Sequence, residues 1–339
     1  MANSDPSRID ELTIADYLRP ASYRSALVGK AHHRKQYQAL LALGLDAGAE
    51  IVRNARSGGF EPFELHDGLL PGTRSNAYND YLKAQGYDSE NPWRDFANSG
   101  EDSDGNPRSG WQLRNSVYPA RVAEEHSETA YTTRRAIEFL EQQPDDRPWC
   151  LHLSYIKPHW PLIAPAPYHA LYSAGDVQAA TRCDAERRDA HPVYAAFMTL
   201  EHSESYARDA VRDCAIPAYM GLVRQIDDQL GRLFDYLERR GQLDDTLIVF
   251  TSDHGDYLGD HWLGEKDLFH EPSVRIPLIL VDPRADADAT RGSACTALVE
   301  AIDLLPSFAG FAGLPVCHER MEGRSLLPLL QSPGTPPGW

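Results

Sequence analysis

An α/β fold, with a mostly parallel sheet sandwiched by helices, is predicted by three observations. Short β-branched and apolar runs alternate along the chain with segments of helical periodicity. The runs are apolar at successive positions, the pattern of strands buried on both faces. They also stop abruptly at polar residues, and in open α/β sheets ligands bind at the carboxyl ends of the strands.

The elements follow in order. Residues 14–19 read as a short helix interrupted by Pro20. Ser25-Ala26-Leu27-Val28-Gly29 reads as a strand that ends at Lys30-Ala31-His32-His33. Residues 46–120 are rich in Gly, Asn, Asp and Pro and predict long surface loops with little regular structure. Loops of that length in a compact protein are often functional. Residues 128–143 predict a helix with Ala130, Ile137 and Leu140 on one face. Trp149-Cys150-Leu151-His152-Leu153-Ser154-Tyr155 predicts a strand ending at Ile156-Lys157-Pro158-His159. Residues 172–213 are polar and charged and predict a surface insertion. Residues 219–240 predict the clearest helix, with Tyr219, Val223, Ile226, Leu230, Leu233 and Leu237 at helical spacing and Gly241 as its cap. Thr246-Leu247-Ile248-Val249 predicts a buried parallel strand, and residues 276–281 another. Residues 298–308 predict a last helix.

Composition narrows the function. The 339 residues suit one α/β domain over residues 1–330, followed by a tail at 331–339. A net charge of −17 argues against nucleic acid or an anionic membrane surface as a partner. A small anionic substrate would need a locally positive site made from a metal, Lys or His. No apolar run is long enough to span a bilayer, and the first residues do not read as a signal peptide. The five cysteines show no C-x-x-C spacing, so free thiols in a reducing cytoplasm are expected. A homo-oligomer stays open.

The densest chemistry is Phe250-Thr251-Ser252-Asp253-His254-Gly255, followed by Gly259-Asp260-His261 and then Lys266. Asp253 and His254 are ligand types for a divalent metal, and Gly255 lets the backbone turn away tightly. Lys266 is placed to meet an anion held by that metal. Strands ending in Lys30 and His32, in His159, and in Asp253 and His254 put five polar groups on one sheet edge if they are parallel and adjacent. Plainer readings stand beside these. Asp253 can cap a helix. Lys30, His32 and His33 run into Arg34 and Lys35 as a solvated basic patch. Lys266 can be an exposed loop lysine. Asp260 and His261 are expected to shape the loop, and Asp227 and Asp228 to be solvated.

These segments resemble the sulfatase and phosphonate monoester hydrolase family of the alkaline phosphatase superfamily. The late segment, extended by Leu258-Gly259-Asp260-His261, looks like its second metal motif. His152-Leu153-Ser154-Tyr155-Ile156-Lys157-Pro158-His159, with Pro165-Ala166-Pro167-Tyr168-His169, is similar to its central motif. Tyr23 to His32 looks like its G-K-x-H motif, and Glu271 to Pro277 and Gly323 to Pro328 also fit. The likeness runs over residues 13–330.

The resemblance implies hydrolysis of sulfate, phosphate or phosphonate esters by a metal-bound nucleophile, with Ca, Mn, Mg or Zn as the divalent ion. Asp253 and His254 would be metal ligands. Lys266, Lys30 and His159 would hold anionic oxygens or the leaving group, and His32 would help to orient the nucleophile. The family's acidic ligand pair, its first strand and its C/S-x-P-S/A-R nucleophile motif are expected upstream of Met1, which makes the chain an incomplete copy with impaired turnover. Ser4-Asp5-Pro6-Ser7-Arg8 spells that motif, but only 26 residues before Lys30, too close for the family spacing. Two alternatives are a non-catalytic member of the same fold that binds an anion or a partner, and a truncated product with no function of its own.

Overall fold

The computed structural model describes residues 6–66, 77–144, 146–317 and 319–332. Its strands are β1 Arg24–Gly29, β2 Glu61–Leu65, β3 Ser99–Glu101, β4 Pro107–Ser109, β5 Trp149–Ser154, β6 Ile248–Thr251 and β7 Leu278–Val281. Its helices are α1 Ile14–Leu18, α2 Tyr37–Ala42, α3 Glu50–Arg56, α4 Ala77–Ala84, α5 Glu128–Glu141, α6 Asp184–Arg188, α7 Pro192–Met198, α8 Glu201–Tyr206, α9 Asp209–Arg239, α10 Glu271–Val274, α11 Leu304–Phe311 and α12 Leu327–Gln331.

The centre is a parallel sheet in the order β2-β1-β5. β1 pairs with β5 in unbroken register from Arg24 opposite Trp149 to Gly29 opposite Ser154. On one face Ala26 and Val28 pack against Ala136, Phe139 and Leu140 of α5 and Leu233 and Leu237 of α9. On the other, Leu27 packs with Ala15 of α1 and Phe60. Burial on both faces is why β1 reads as a continuous apolar run. Gly29 closes the strand at φ 110°, where a Cβ would lie 1.9 Å from the Ser154 carbonyl oxygen, so only glycine allows the two backbones to meet.

Four expectations change. Residues 46–120 are not mainly loop. They contain α3, β2, α4 and the β3–β4 hairpin, and Tyr78, Leu82, Trp93 and Tyr131 form a core of their own. β2 escaped notice because it is short and holds Pro62, which an edge strand tolerates. The long helix α9 starts ten residues earlier than expected, at Asp209, and carries Pro217 in its interior. Its buried stripe runs through Ala215, Ala218, Leu222, Ile226, Leu233 and Leu237, while Val223 is exposed. The last strands differ most. β6 is neither parallel to its partner nor buried. It pairs antiparallel with β7, from Ile248 opposite Val281 to Thr251 opposite Leu278, and both strands are half exposed.

Residues 172–208 carry the short helices α6, α7 and α8, whose residues are mostly exposed. Among the described residues no helix is long and apolar enough to cross a membrane.

Candidate active site

The carboxyl ends of β1, β5 and β6 lead to one polar cluster. Lys30 follows β1, and its amide donates to the Ser154 carbonyl at 3.0 Å. His159 lies five residues beyond β5. Its Nδ1–H donates to the Trp160 carbonyl at 2.7 Å, which leaves Nε2 as acceptor for the Lys266 ammonium at 3.1 Å. Burial first, then the charges of Lys266 and Lys30, push His159 down to about 4, so the ring is neutral at neutral pH. The His254 ring stands edge-on to it, with centroids 5.9 Å apart.

His254 donates from Nδ1 to the Gly255 carbonyl at 2.8 Å, which directs Nε2 to the other side, 3.8 Å from Asp253 Oδ1. The Asp253 side chain is exposed, and no helix follows it for it to cap. Gly255 turns the chain against α10, where a Cβ would lie 1.9 Å from the Pro272 carbonyl. A carboxylate oxygen and an imidazole nitrogen fit a divalent cation in donor type. Two donors do not complete its shell, and among the described residues no cluster of three or more His, Cys, Asp or Glu is placed to hold a metal.

The basic run after β1 divides. Lys30, His32 and His33 line the site cleft. Lys35 turns inward to a buried ion pair with Asp16, and His33 meets Ser7 Oγ at 3.3 Å, so the run is not one solvated patch. Ser4 lies outside the described residues.

Lys266 sits in a tightly held loop. Leu258, His261, Trp262, Glu265 and Asp267 all have left-handed φ, between 46° and 90°. Such conformations cost about 1–3 kcal/mol each and persist only where surroundings impose them. The restraints are visible. Arg212 donates to the Leu258 carbonyl at 3.0 Å and to the Gln178 carbonyl at 2.9 Å. Asp260 accepts from the Thr181 amide at 2.8 Å, and His261 Nδ1 meets Glu186 at 2.7 Å. Asp260 and His261 therefore shape the loop and tie it to residues 172–208. Asp228 is not merely solvated, since it accepts from the Tyr168 hydroxyl at 2.8 Å and pairs with Arg224.

Sequence reasoning passed over three neighbours. Asp256 is pushed up to about 7, by burial and by the nearby Glu265 charge. Glu265 lies 3.6 Å from Lys266. His152, on β5, is lowered by burial against the opposing pull of Asp253. All three lie inside or beside the singled-out segments, but only the fold shows that they neighbour the cluster. No cysteine is an activated nucleophile here, since burial pushes Cys150, the one beside the cleft, up to about 12.

The cluster occupies one end of a cleft of about 2540 Å³ that continues between β5 and β6.

The sulfatase family profile matches residues 65–314. The chain is 38% identical over 233 residues to the multifunctional alkaline phosphatase superfamily protein PehA of Trinickia caryophylli, covering 65% of this chain and 44% of that one. It is 25% identical to the arylsulfatase of Clostridium perfringens, over 95% of this chain and 62% of the relative. The solved phosphonate monoester hydrolase of Silicibacter pomeroyi superposes with a TM-score of 0.82 at 28% identity, covering 99% of this chain and 64% of its own. The chain thus spans about two fifths to two thirds of the length of these relatives.

Proposed function

The chain belongs to the sulfatase family, and from that premise we propose that it acts in the hydrolysis of sulfate esters or of phosphonate and phosphate esters. The observation that carries the reading is the meeting of His159, Lys266 and His254 at the ends of separate strands, with Lys30 close enough to act on His159. The lysines neutralise the anionic oxygens of the ester. Neutral His159, held by the Trp160 carbonyl, presents Nε2 to the same place through the Lys266 hydrogen bond. Transfer of such groups is mainly positioning and charge stabilisation, and these groups supply both.

Asp253 and His254 would hold a divalent cation, Ca, Mn, Mg or Zn, which when bound polarises the ester and activates a nucleophile. Two donors hold such an ion weakly, so slow turnover is expected of these 339 residues alone. The likeness to PehA and to phosphonate monoester hydrolases supports a phosphorus ester, and the likeness to arylsulfatase a sulfate ester.

The test is turnover of an aryl sulfate and of a phenylphosphonate aryl ester with each metal in excess. The expected result is metal-stimulated release of the phenol, lowered about 100-fold or more by His159→Ala. Inorganic phosphate binding without any turnover would replace hydrolysis by a non-catalytic, anion-binding role. Neither turnover nor binding would end both readings.

A further inference from the structure

We infer that Arg212, near the start of α9, is a positioning residue for Lys266, fixing the loop that sets this ammonium against His159. The inference rests on the proposed role of Lys266 at the ester anion, but the placement it describes can be tested without turnover.

Arg212 is a buried charge that the proposed chemistry does not use. Its side chain is 7% exposed, and a guanidinium taken out of water needs its donors satisfied. Its ion-pair partner Asp209 lies 3.7 Å away and is 72% exposed, so water screens the pair. The guanidinium is engaged by main-chain carbonyls instead. Nε–H donates to Leu258 at 3.0 Å and an Nη2–H to Gln178 at 2.9 Å. One rigid planar fork therefore joins α9, the Lys266 loop and residues 172–208. The loop is also shaped around the stem of this side chain. Gly259 has φ 102°, and a Cβ there would lie 2.7 Å from Arg212 Cδ.

The bond at Leu258 reaches Lys266 through the backbone. The Tyr257 amide donates to the Glu265 carbonyl at 2.8 Å, and the Gly259 amide donates to the Leu263 carbonyl at 2.9 Å. Leu258 lies between these two rungs, and Lys266 directly follows Glu265. Residues 257–265 thus form a closed ring, and a shift at Leu258 is passed to Lys266. Local preference does not hold that ring, because Leu258 and Glu265 have φ of 46° and 57°. The margin is narrow, since the Lys266 ammonium already lies 3.1 Å from His159 Nε2. A displacement of about 1 Å would break that bond. The other ties of the loop include exposed hydrogen bonds, from the Thr181 amide to Asp260 and from Trp262 to the Cys183 carbonyl. Water can replace those at little cost, whereas loss of the Arg212 fork removes two buried donors at once.

The test is acetic anhydride labelling of the full 339-residue protein, read lysine by lysine by mass spectrometry. Lys83 is exposed and serves as reference. Lys157 is buried, bonded to Asn98 Oδ1 at 2.6 Å and to the Pro161 carbonyl at 2.7 Å, and it reports general loosening. In Arg212→Met, labelling of Lys266 relative to Lys83 is expected to rise about five-fold while Lys157 stays protected. Arg212→Lys keeps the charge without the fork, so it should fall between, and it gives the comparison by itself if the methionine variant does not fold. Unchanged labelling of Lys266 would overturn the inference. A rise shared with Lys157 would also overturn it, by reducing Arg212 to a residue of general stability. Inorganic phosphate binding, measured by calorimetry, then ties the placement to the anion. Lys266→Met and Arg212→Met should each weaken it about ten-fold, and the double variant no further. Weakening by Lys266→Met but not by Arg212→Met would overturn this inference alone. No phosphate affinity, or an affinity that Lys266→Met leaves unchanged, would overturn the role of Lys266 and with it that of Arg212.

Discussion

The seam between β1 and β5 and the cleft between β5 and β6 flank the same strand, and they differ in every respect but sequence character. At the seam, six residue pairs stand in register, and Ala26, Leu27 and Val28 are buried. At the cleft, β6 is as apolar as β1, with Ile248, Val249 and Phe250 in succession, yet it is half exposed and bonded on one edge only. Apolar character therefore qualifies a strand for burial, and its neighbours decide whether burial happens. Backbone pairing and apolar contact on both faces are what hold the sheet. Where one neighbour is absent among the described residues, Phe250, Ile279 and Val281 stay at the surface, 38%, 57% and 41% exposed.

The largest difference between the regions should appear on truncating their apolar residues. Leu27→Ala removes a fully buried side chain at the seam and should cost about 2–5 kcal/mol in urea unfolding. A loss below about 1 kcal/mol would mean that the seam is not the stable part of the sheet.

A second, smaller difference concerns acid. Glu128 at the start of α5 is buried on the seam side, bonded to His66 and to Trp93 Nε1, the latter at 3.0 Å. Burial raises its carboxyl, but the contacts to His66 and the charge of Lys157 outweigh this and hold it below the ordinary value. A carboxyl lowered on folding contributes stability that is complete above its unfolded value, near 4.3, and is lost as pH falls toward its folded value. Between those values each pH unit costs about 1.4 kcal/mol from this group. The acid limb of the unfolding curve should flatten in Glu128→Gln, and an unchanged limb would remove the pair from the account.

The smallest effect is expected at the cleft. Ile279→Ser, on an exposed wall residue, should change stability by no more than about 0.5 kcal/mol. A loss comparable to that of Leu27→Ala would show that the cleft is closed in solution, and the contrast between the regions would fail.

Much of the site was legible because strands that end in charged residues mark the ligand edge of a sheet. Strand ends point to Lys30, His32, His159, Asp253 and His254, Lys266 follows in the loop after His254, and the structure sets His159 against both Lys266 and His254. Asp256 and Glu265 are not legible in the sequence, because their placement depends on which way a strained loop turns, and His152 is not, because its neighbour Asp253 comes from a distant strand end. The first ten residues of α9 are hard to read as helix because they bury Arg212 and hold Pro217 in the helix interior, which interrupts the apolar periodicity.

By itself, the order of residues determined the α/β class, the strands that lead to the polar groups, and the residue types at their ends. These follow from local patterns, namely apolar runs, helical spacing and the residue types at strand ends. Tertiary structure alone decided that β6 pairs antiparallel with β7, that Lys35 leaves the basic run for Asp16, and that Asp260 and His261 clamp residues 172–208 to the Lys266 loop. Each of these joins groups distant in sequence, and such pairing depends on the packing of the whole chain rather than on any local preference.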